Sequence, residues 1–541
     1  MLGLMQSQPL LVSSILTHAA RHHGATEVVS REASGAIHRT TYAALERRAR
    51  RLARALTRLG VQPGDRVATL AWNGHRHVEA YYAVPGMGSV IHTVNPRLSP
   101  DDIAYILDSA GSGVLLADAG FAALVAEIAP RLPRLRSVVL LSEPGAPMPG
   151  IALAPGQALL DYETLLADAD EDFPWPVLDE AAASTLCYTS GTTGRPRGVL
   201  YSHRSQVLHA YAIVMPDVFG LRAVDRVLPV VPMFHVNAWG LPHAAPLAGS
   251  ALILPGRQLD GASLTELMNG ERVTASAGVP TVWLGLLQYL RASGKRLDTV
   301  DRFICGGSAC PPMLIEAFAE YGVTVGHAWG MTETSPLGTA AQPKQGARDQ
   351  ARQLLSQGRA VPGLDMRITG DDGQELPWDG QQFGNLEVRG HWVARRYFGE
   401  DQDAAAPEGW FATGDVASID PDGYMQITDR TKDVVKSGGE WISSIQLENL
   451  AVEHPDVAEA AVIGVRHPRW DERPLLLLLP KPGRSVDPDA VLRLIEGRVA
   501  KWWLPDEVLV VDELPHTATG KLNKLALRQR FAGHRLPTAA E

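Results

Sequence analysis

Short strand-forming runs at Arg66 to Trp72, Val114 to Leu116 and Ser137 to Leu141 alternate with alanine- and leucine-rich stretches of helical character. Such alternation joins strands through helical crossovers, which constrains the chain to parallel α/β sheets covered by helices. One covering helix is legible between Ala43 and Leu59, where Leu45, Ala49, Leu52, Leu56 and Leu59 recur at steps of four and three. Arg47, Arg48, Arg50, Arg51, Arg54 and Arg58 fill the rest of that helix. They are read as a solvated face rather than a nucleic-acid or membrane contact. From Leu364 to Tyr424 the texture changes. The runs MRITG, NLEVRG and GYMQITD, divided by turn pairs such as Asp422-Gly423, read as a small antiparallel β unit. After Asp429-Arg430 comes an α+β tail, helical at Glu448 to Val452 and Asp489 to Val499 and strand-like at Ala460 to Val465 and Leu475 to Leu479. The expected domains are therefore 1–430 and 431–541, and no repeat of fixed period appears.

At 541 residues the chain exceeds one ordinary domain. A net charge of −10 gives the whole molecule no attraction to nucleic acid or to an anionic membrane. Three cysteines are too few for a disulfide framework and suit a reducing cytoplasm. The densest apolar run, Leu475 to Leu479, is closed by Pro474 and Pro480, so it is a buried strand and not a membrane span. The first residues lack a basic stretch and a cleavage site ahead of a clean apolar core, so no export segment is expected.

Tyr188-Thr189-Ser190-Gly191-Thr192-Thr193-Gly194-Arg195-Pro196-Arg197-Gly198-Val199 carries the chemistry. Its glycines let backbone approach a ligand closely, its hydroxyls and amides suit an anion, and two arginines add positive charge. It is not a Walker A loop, because no Gly-Lys-Ser/Thr follows. The string resembles the phosphate-binding signature of the AMP-forming adenylating enzymes, the superfamily of acyl- and aryl-CoA synthetases, peptide-synthetase adenylation domains and firefly luciferase. Five further segments resemble that family's motifs in order. They are Gly306-Gly307-Ser308-Ala309-Cys310-Pro311, Ala328-Trp329-Gly330-Met331-Thr332-Glu333, Gly409 to Asp415, Asp429 to Glu440, and Pro515 to Lys521. Val231 to Gly240 and Ser437 to Ser444 resemble the bacterial medium- and long-chain fatty acyl-CoA synthetase branch. Cys310-Pro311-Pro312 and His327-Ala328-Trp329-Gly330 look most like its 3-methylmercaptopropionyl-CoA ligases.

The resemblance implies a large N-terminal domain of two α/β layers plus a β-barrel-like unit, and a small mobile α+β C-terminal domain. It implies ATP, Mg²⁺ and coenzyme A as reactants, a carboxylic acid as substrate, and a homodimer. Thr189, Ser190, Gly191, Thr192, Thr193, Gly194 and Arg197 would hold the β- and γ-phosphates. Gly307, Ser308, Ala309, His327, Ala328, Trp329, Gly330 and Met331 would line the adenine, and Asp415 and Arg430 the ribose. Thr332 would donate to the α-phosphate, and Glu333, with Thr189, would hold Mg²⁺. Lys521 would offset charge between the attacking carboxylate and the α-phosphate, with His235 counted in the catalytic set. Lys432 matches the hinge, and Lys436, Ser437, Gly438, Gly439, Glu440 and Trp441 match the CoA segment, Trp441 as the gate of the acyl tunnel. His235, Trp239, Gly278, Gly306 and Pro336 would line the acyl pocket.

Two indole rings, Trp239 and Trp283, would leave room for short to medium acids, such as 3-methylthiopropionate or a C4–C10 fatty acid. A long-chain ligase and an acyl-AMP ligase loading a carrier protein are the alternatives. Two residues depart from the family pattern. Arg197 stands where a lysine is usual, and His516 where an arginine is common. A metal site from Cys305, Cys310 and His327 lacks ligand spacing, and no G-x-S-x-G elbow marks a hydrolase.

Overall fold

The computed structural model describes residues 1, 3–189, 195–346, 350–438, 440–516 and 522–540. Ser190, Gly191, Thr192, Thr193, Gly194, Gly439 and Lys521 lie outside the described residues. The chain divides into two compact units. One comprises Met1–Thr189, Arg195–Asp365 and Arg389–Gly409, and the other comprises Met366–Val388 and the residues from Trp410 onward.

The first unit holds two sheets. The seven-stranded sheet runs Ala158–Asp161, Ser137–Leu141, Val114–Asp118, Arg66–Leu70, Val90–Thr93, Ala183–Tyr188 and Gly198–Ser202. It is parallel until its last pair, Ala183–Tyr188 with Gly198–Ser202, which is antiparallel. That reversal arises because the 189–197 segment is too short for a helical crossover. The nine-stranded sheet is parallel from Thr324–Gly330 through Arg302–Cys305, Ala275–Gly278, Arg226–Pro229 and Ala251–Leu254 to Glu27–Arg31. Antiparallel strands close both of its edges. The alternation read from the sequence is thus realised as parallel sheets.

The helix expected at 43–59 spans Tyr42–Arg58, capped by the Thr41 side chain, with Leu45, Ala49, Leu52 and Leu56 fully buried. Its arginine face is solvated only in part, at Arg47 and Arg58. Arg48 binds Glu79 and Glu163, Arg50 lies over Trp175, and Arg54 lies over Phe173. Residues between Glu163 and Trp175 thus cover part of the basic face, and Arg48 supplies the cation that the fully buried Glu79 needs beside it.

The second unit has a four-stranded sheet, Leu364–Thr369, Gly384–Gly390, Phe411–Ile419 and Met425–Arg430, and a five-stranded sheet built on the hairpin Val457–His467/Asp471–Pro480. The leucine run is a strand buried on both faces. Leu476 and Leu478 enter one apolar cluster, and Leu475 and Leu477 enter another. Two covered faces remove the usual apolar–polar alternation, which is why the run is continuous. The expected helices appear as Ser444–Ala451 and Pro488–Ile495. The second ends earlier than its sequence pattern suggested, ahead of Gly497 at φ 78°. Among the described residues no helix is long and apolar enough to cross a membrane.

Candidate active site

Gly198–Ser202 leads out of the phosphate segment, and the Thr189 N–H donates to the Arg197 carbonyl at 2.9 Å, which closes the segment's base. Arg195 lies over the Tyr105 ring. Arg197 gives two donors to Glu400, at 2.8 and 2.6 Å, and sits 3.5 Å from the centre of the Tyr397 ring. Hydrogen bonding to Glu400 raises the Arg197 pKa, and the same pair lowers that of Glu400.

Beyond Thr324–Gly330 the chain turns sharply through Thr332-Glu333-Thr334 to Ser335 at φ 66° and Pro336. Tyr201 donates its hydroxyl to the Thr332 carbonyl at 2.6 Å. Glu333 is 7% exposed, and its Oε1 accepts the Tyr397 hydroxyl at 2.7 Å. Among the described residues no ion pair neutralises the Glu333 carboxylate. A nearly buried carboxylate with no cation among them at contact distance offers the hard oxygen donor that a divalent cation needs, so the residues present fit Mg²⁺.

Gly330 has no alternative at its position. A Cβ there would lie 1.6 Å from the Pro336 carbonyl oxygen. Trp329, expected against adenine, is 9% exposed, and its ring covers Gly338 on the next strand. Burial holds His327 neutral by pushing its pKa down to about 4. Pro336 is followed by Leu337, whose N–H donates to His209 Nε2 at 3.1 Å.

The expected acyl wall is built on strained backbone. Val236, Asn237, Ala238 and Trp239 take φ of 45°, 53°, 47° and 54°, and Gly240 continues at 75°. A left-handed turn costs L-residues about 1–2 kcal/mol each, so the surroundings must hold it. Tyr81 and Cys187 both donate to the Asn237 side-chain oxygen. At Gly240 a Cβ would meet the His209 ring at 2.7 Å. The turn lays the Trp239 indole over Gly306 and Gly307, 3.2 and 3.7 Å from where their Cβ atoms would stand. Gly307 adopts φ 79°. His235 and Trp239 are both half-buried. Trp283 does not join them as a second indole. It is fully buried and stacked on Phe303 at 4.1 Å, and its ring fills the space beside Gly278 that a side chain would take.

In the second unit Asp415 and Arg430 face each other across antiparallel strands and pair at 2.8 Å, with Asp415 only 3% exposed. Lys432 has a pKa lowered chiefly by burial. The Lys436 ammonium lies over the Trp441 ring, and Ser437 Oγ accepts from Arg473. Gly438, at φ 60°, donates its N–H to the Trp470 carbonyl, and a Cβ there would strike the Trp470 ring. A cleft of about 810 Å³ opens beside Ser437 and Gly438, walled by Arg469, Trp470, Arg473 and Trp502. His516 pairs with Glu459 at 3.1 Å.

The structure thus gathers Arg197, Thr332 and Glu333 around one corner of the first unit, and Trp239, Gly306 and Gly307 around a second, with His235 at the start of the turn that carries Trp239. Asp415 with Arg430, and Ser437 with Gly438, form two groups in the second unit. Three residues at these places escaped sequence reasoning. Tyr397 and Glu400 lie in RRYFGE, which carries no periodic or motif signal. Lys524 is 9% exposed and binds Glu448 at 2.7 Å within the second unit, where its place on a helix face with Leu527 was the available sign.

The family described as AMP-binding enzyme matches residues 16–398, and the AMP-binding enzyme C-terminal domain matches residues 446–521. The chain is 51% identical to the 3-methylmercaptopropionyl-CoA ligase of Ruegeria lacuscaerulensis over 537 residues, covering 98% of this chain and 99% of that protein. It is 48% identical to the medium-chain-fatty-acid–CoA ligase of Ectopseudomonas oleovorans, covering 98% of each. The ATP-bound structure of MatB from Rhodopseudomonas palustris superposes with a TM-score of 0.81 at 26% identity, covering 96% of this chain and 99% of that one. The chain belongs to the AMP-binding enzyme family.

Proposed function

We propose that this protein is an AMP-forming acyl-CoA synthetase, which condenses a short- or medium-chain carboxylic acid with ATP to acyl-AMP and pyrophosphate and then transfers the acyl group to CoA. The observation that carries the reading is the Thr332–Glu333 corner, held by Tyr201 and Tyr397 within reach of the strand that leaves the phosphate segment. A carboxylate attacking an α-phosphorus is anion meeting anion, so the site must neutralise charge and fix an in-line approach. Glu333, with Thr189, would hold Mg²⁺, which when bound supplies charge neutralisation at the phosphate oxygens. Thr332 donates to the α-phosphate. Asp415 accepts from the ribose hydroxyls and Arg430 fixes its orientation, while Trp329 and the 306–309 segment line the adenine. Lys521 offsets the charge that builds between the attacking carboxylate and the α-phosphate, a contact worth about 3 kcal/mol.

Residues 431–541 act as a mobile domain pivoting at Lys432. CoA enters along Lys436 to Trp441, and the arginine- and tryptophan-walled cleft beside Gly438 offers its nucleotide stacking surfaces and positive charge. The enzyme works in the cytoplasm as a homodimer, and a monomer on a sizing column would remove the second half of that statement.

The acid is 3-methylthiopropionate or a C4–C10 fatty acid. With Trp283 committed to the core, the Trp239 ring over Gly306 and Gly307 is the stop. Each buried CH₂ contributes ~0.8 kcal/mol, so kcat/KM should climb about fourfold per carbon until the pocket is full. The test is acid-dependent pyrophosphate release across C3 to C16 with 3-methylthiopropionate included, then AMP and acyl-CoA on adding CoA. Trp239→Ala should move the optimum to longer acids. Palmitate outperforming octanoate on the unaltered enzyme would favour the long-chain reading. No pyrophosphate with any acid would end the synthetase reading itself.

A further inference from the structure

Tyr397 lies outside all six motifs, yet it touches two of them. Its hydroxyl donates to Glu333 Oε1 at 2.7 Å, and its ring carries the Arg197 guanidinium at 3.5 Å. Arg197 is tied at its far edge to Glu400, three residues further along the same loop. The main chain repeats the pattern. The Ala394 N–H donates to the Glu333 carbonyl at 2.7 Å, and the Phe398 N–H donates to the Gly198 carbonyl at 2.8 Å. One loop, 394–400, therefore grips the Thr-Glu motif at two points and the base of the phosphate segment at three.

The chemistry of each contact differs. A hydroxyl on one carboxylate oxygen restrains the carboxylate's rotation and would leave the other oxygen for a cation. A planar guanidinium lies flat on a ring while its edge forks to a carboxylate, and a compact ammonium cannot do both at once. That accounts for arginine at 197, where the family pattern has lysine. Here the residue is a strut between loop and ring as well as a charge.

We infer that Tyr397 is a positioning residue for the metal half of the nucleotide site, its hydroxyl setting the Glu333 carboxylate for Mg²⁺ and its ring anchoring Arg197 to the same loop. The inference rests on the synthetase reading, so the experiment separates the two. Pyrophosphate release is measured against Mg²⁺ at saturating acid and ATP, ATP binding is measured calorimetrically with and without Mg²⁺ in the absence of acid, and thioesterification is measured on a supplied acyl-adenylate.

Tyr397→Phe keeps the ring and loses the hydroxyl. It should raise half-saturating Mg²⁺ about tenfold in both the activity and the calorimetric titrations. Its rate at saturating Mg²⁺ should stay near wild type, and thioesterification should be unchanged. Arg197→Lys, with Tyr397 intact, should weaken ATP binding several-fold while leaving the Mg²⁺ curve in place. Tyr397→Leu should show both defects together. An unshifted Mg²⁺ curve in Tyr397→Phe overturns the inference while the synthetase reading stands. So does an equal loss of both half-reactions, which would mark Tyr397 as a fold residue only. Wild-type enzyme that releases no pyrophosphate with any acid removes both.

Discussion

Gly330 shows how a single hydrogen in place of a side chain sets a site. Its Cβ position is 1.6 Å from the Pro336 carbonyl oxygen, a backbone atom that cannot rotate away. Gly330→Ala must displace either the Thr324–Gly330 strand or the Ser335-Pro336 turn, and Glu333 lies between them. Overpacking of this kind costs about 1–3 kcal/mol or more. The variant should lose pyrophosphate release at least a hundredfold and melt lower, and near-normal activity would show that the turn yields without disturbing Glu333. Asp118 supplies a pH signature remote from this corner. Burial pushes its carboxyl up from 3.8 to about 7, against the Trp72 N–H that donates to it at 2.7 Å. The folded state therefore binds a proton that the unfolded chain has already released between about pH 4 and pH 7. Stability from this group is full below the lower value and is lost as pH rises through the upper one. Asp118→Asn should flatten the decline in melting temperature between pH 5 and pH 8, and identical profiles for the variant and the parent would discard the assignment. At this scale the sequence revealed residue types but not pairings. Arg197 was legible as a departure from a pattern, whereas its commitment to Glu400 and Tyr397 depends on a loop two hundred residues further along.

Among the elements, the leucine strand at Asp471–Pro480 was fully legible, because five consecutive leucines between prolines admit neither a surface strand nor a spanning helix. Its two faces serve two apolar clusters. Leu476→Ala and Leu477→Ala should consequently cost similar amounts, each about 2–5 kcal/mol, seen as comparable drops in the melting temperature of the full chain. A large loss for one and a small loss for the other would mean that one face is open. The Tyr42–Arg58 helix was legible in its apolar stripe and only in part in its arginines, since Arg47 and Arg58 do face solvent while Arg48, Arg50 and Arg54 are covered. The stripe is a local property of spacing. The partners of Arg48, Arg50 and Arg54 come from Glu79, Glu163, Phe173 and Trp175, which only the packing brings near. The turn at Val236–Gly240 carried no warning at all, since four non-glycine residues with positive φ contradict local preference and persist only through their surroundings.

For the whole molecule, the proposed division of labour gives the clearest prediction. Lys521→Ala should stop acid-dependent pyrophosphate release yet leave thioesterification of a supplied acyl-adenylate largely intact, because the lysine serves only the first half-reaction. Equal loss of both would contradict that assignment. The sequence by itself determined the α/β class, the family and the order of the six motifs. Each of these is a local matter, in which a glycine permits close approach, a hydroxyl or carboxylate supplies a donor or acceptor, and an apolar period fixes a strand or helix. Only the tertiary structure decided that Trp283 fills the core and not the acyl wall, that Trp239 lies over Gly306 and Gly307, and that Tyr397 joins Arg197 to Glu333. These are contacts between residues distant along the chain. Their geometry follows from sheet order and helix packing, and no local window of sequence contains it.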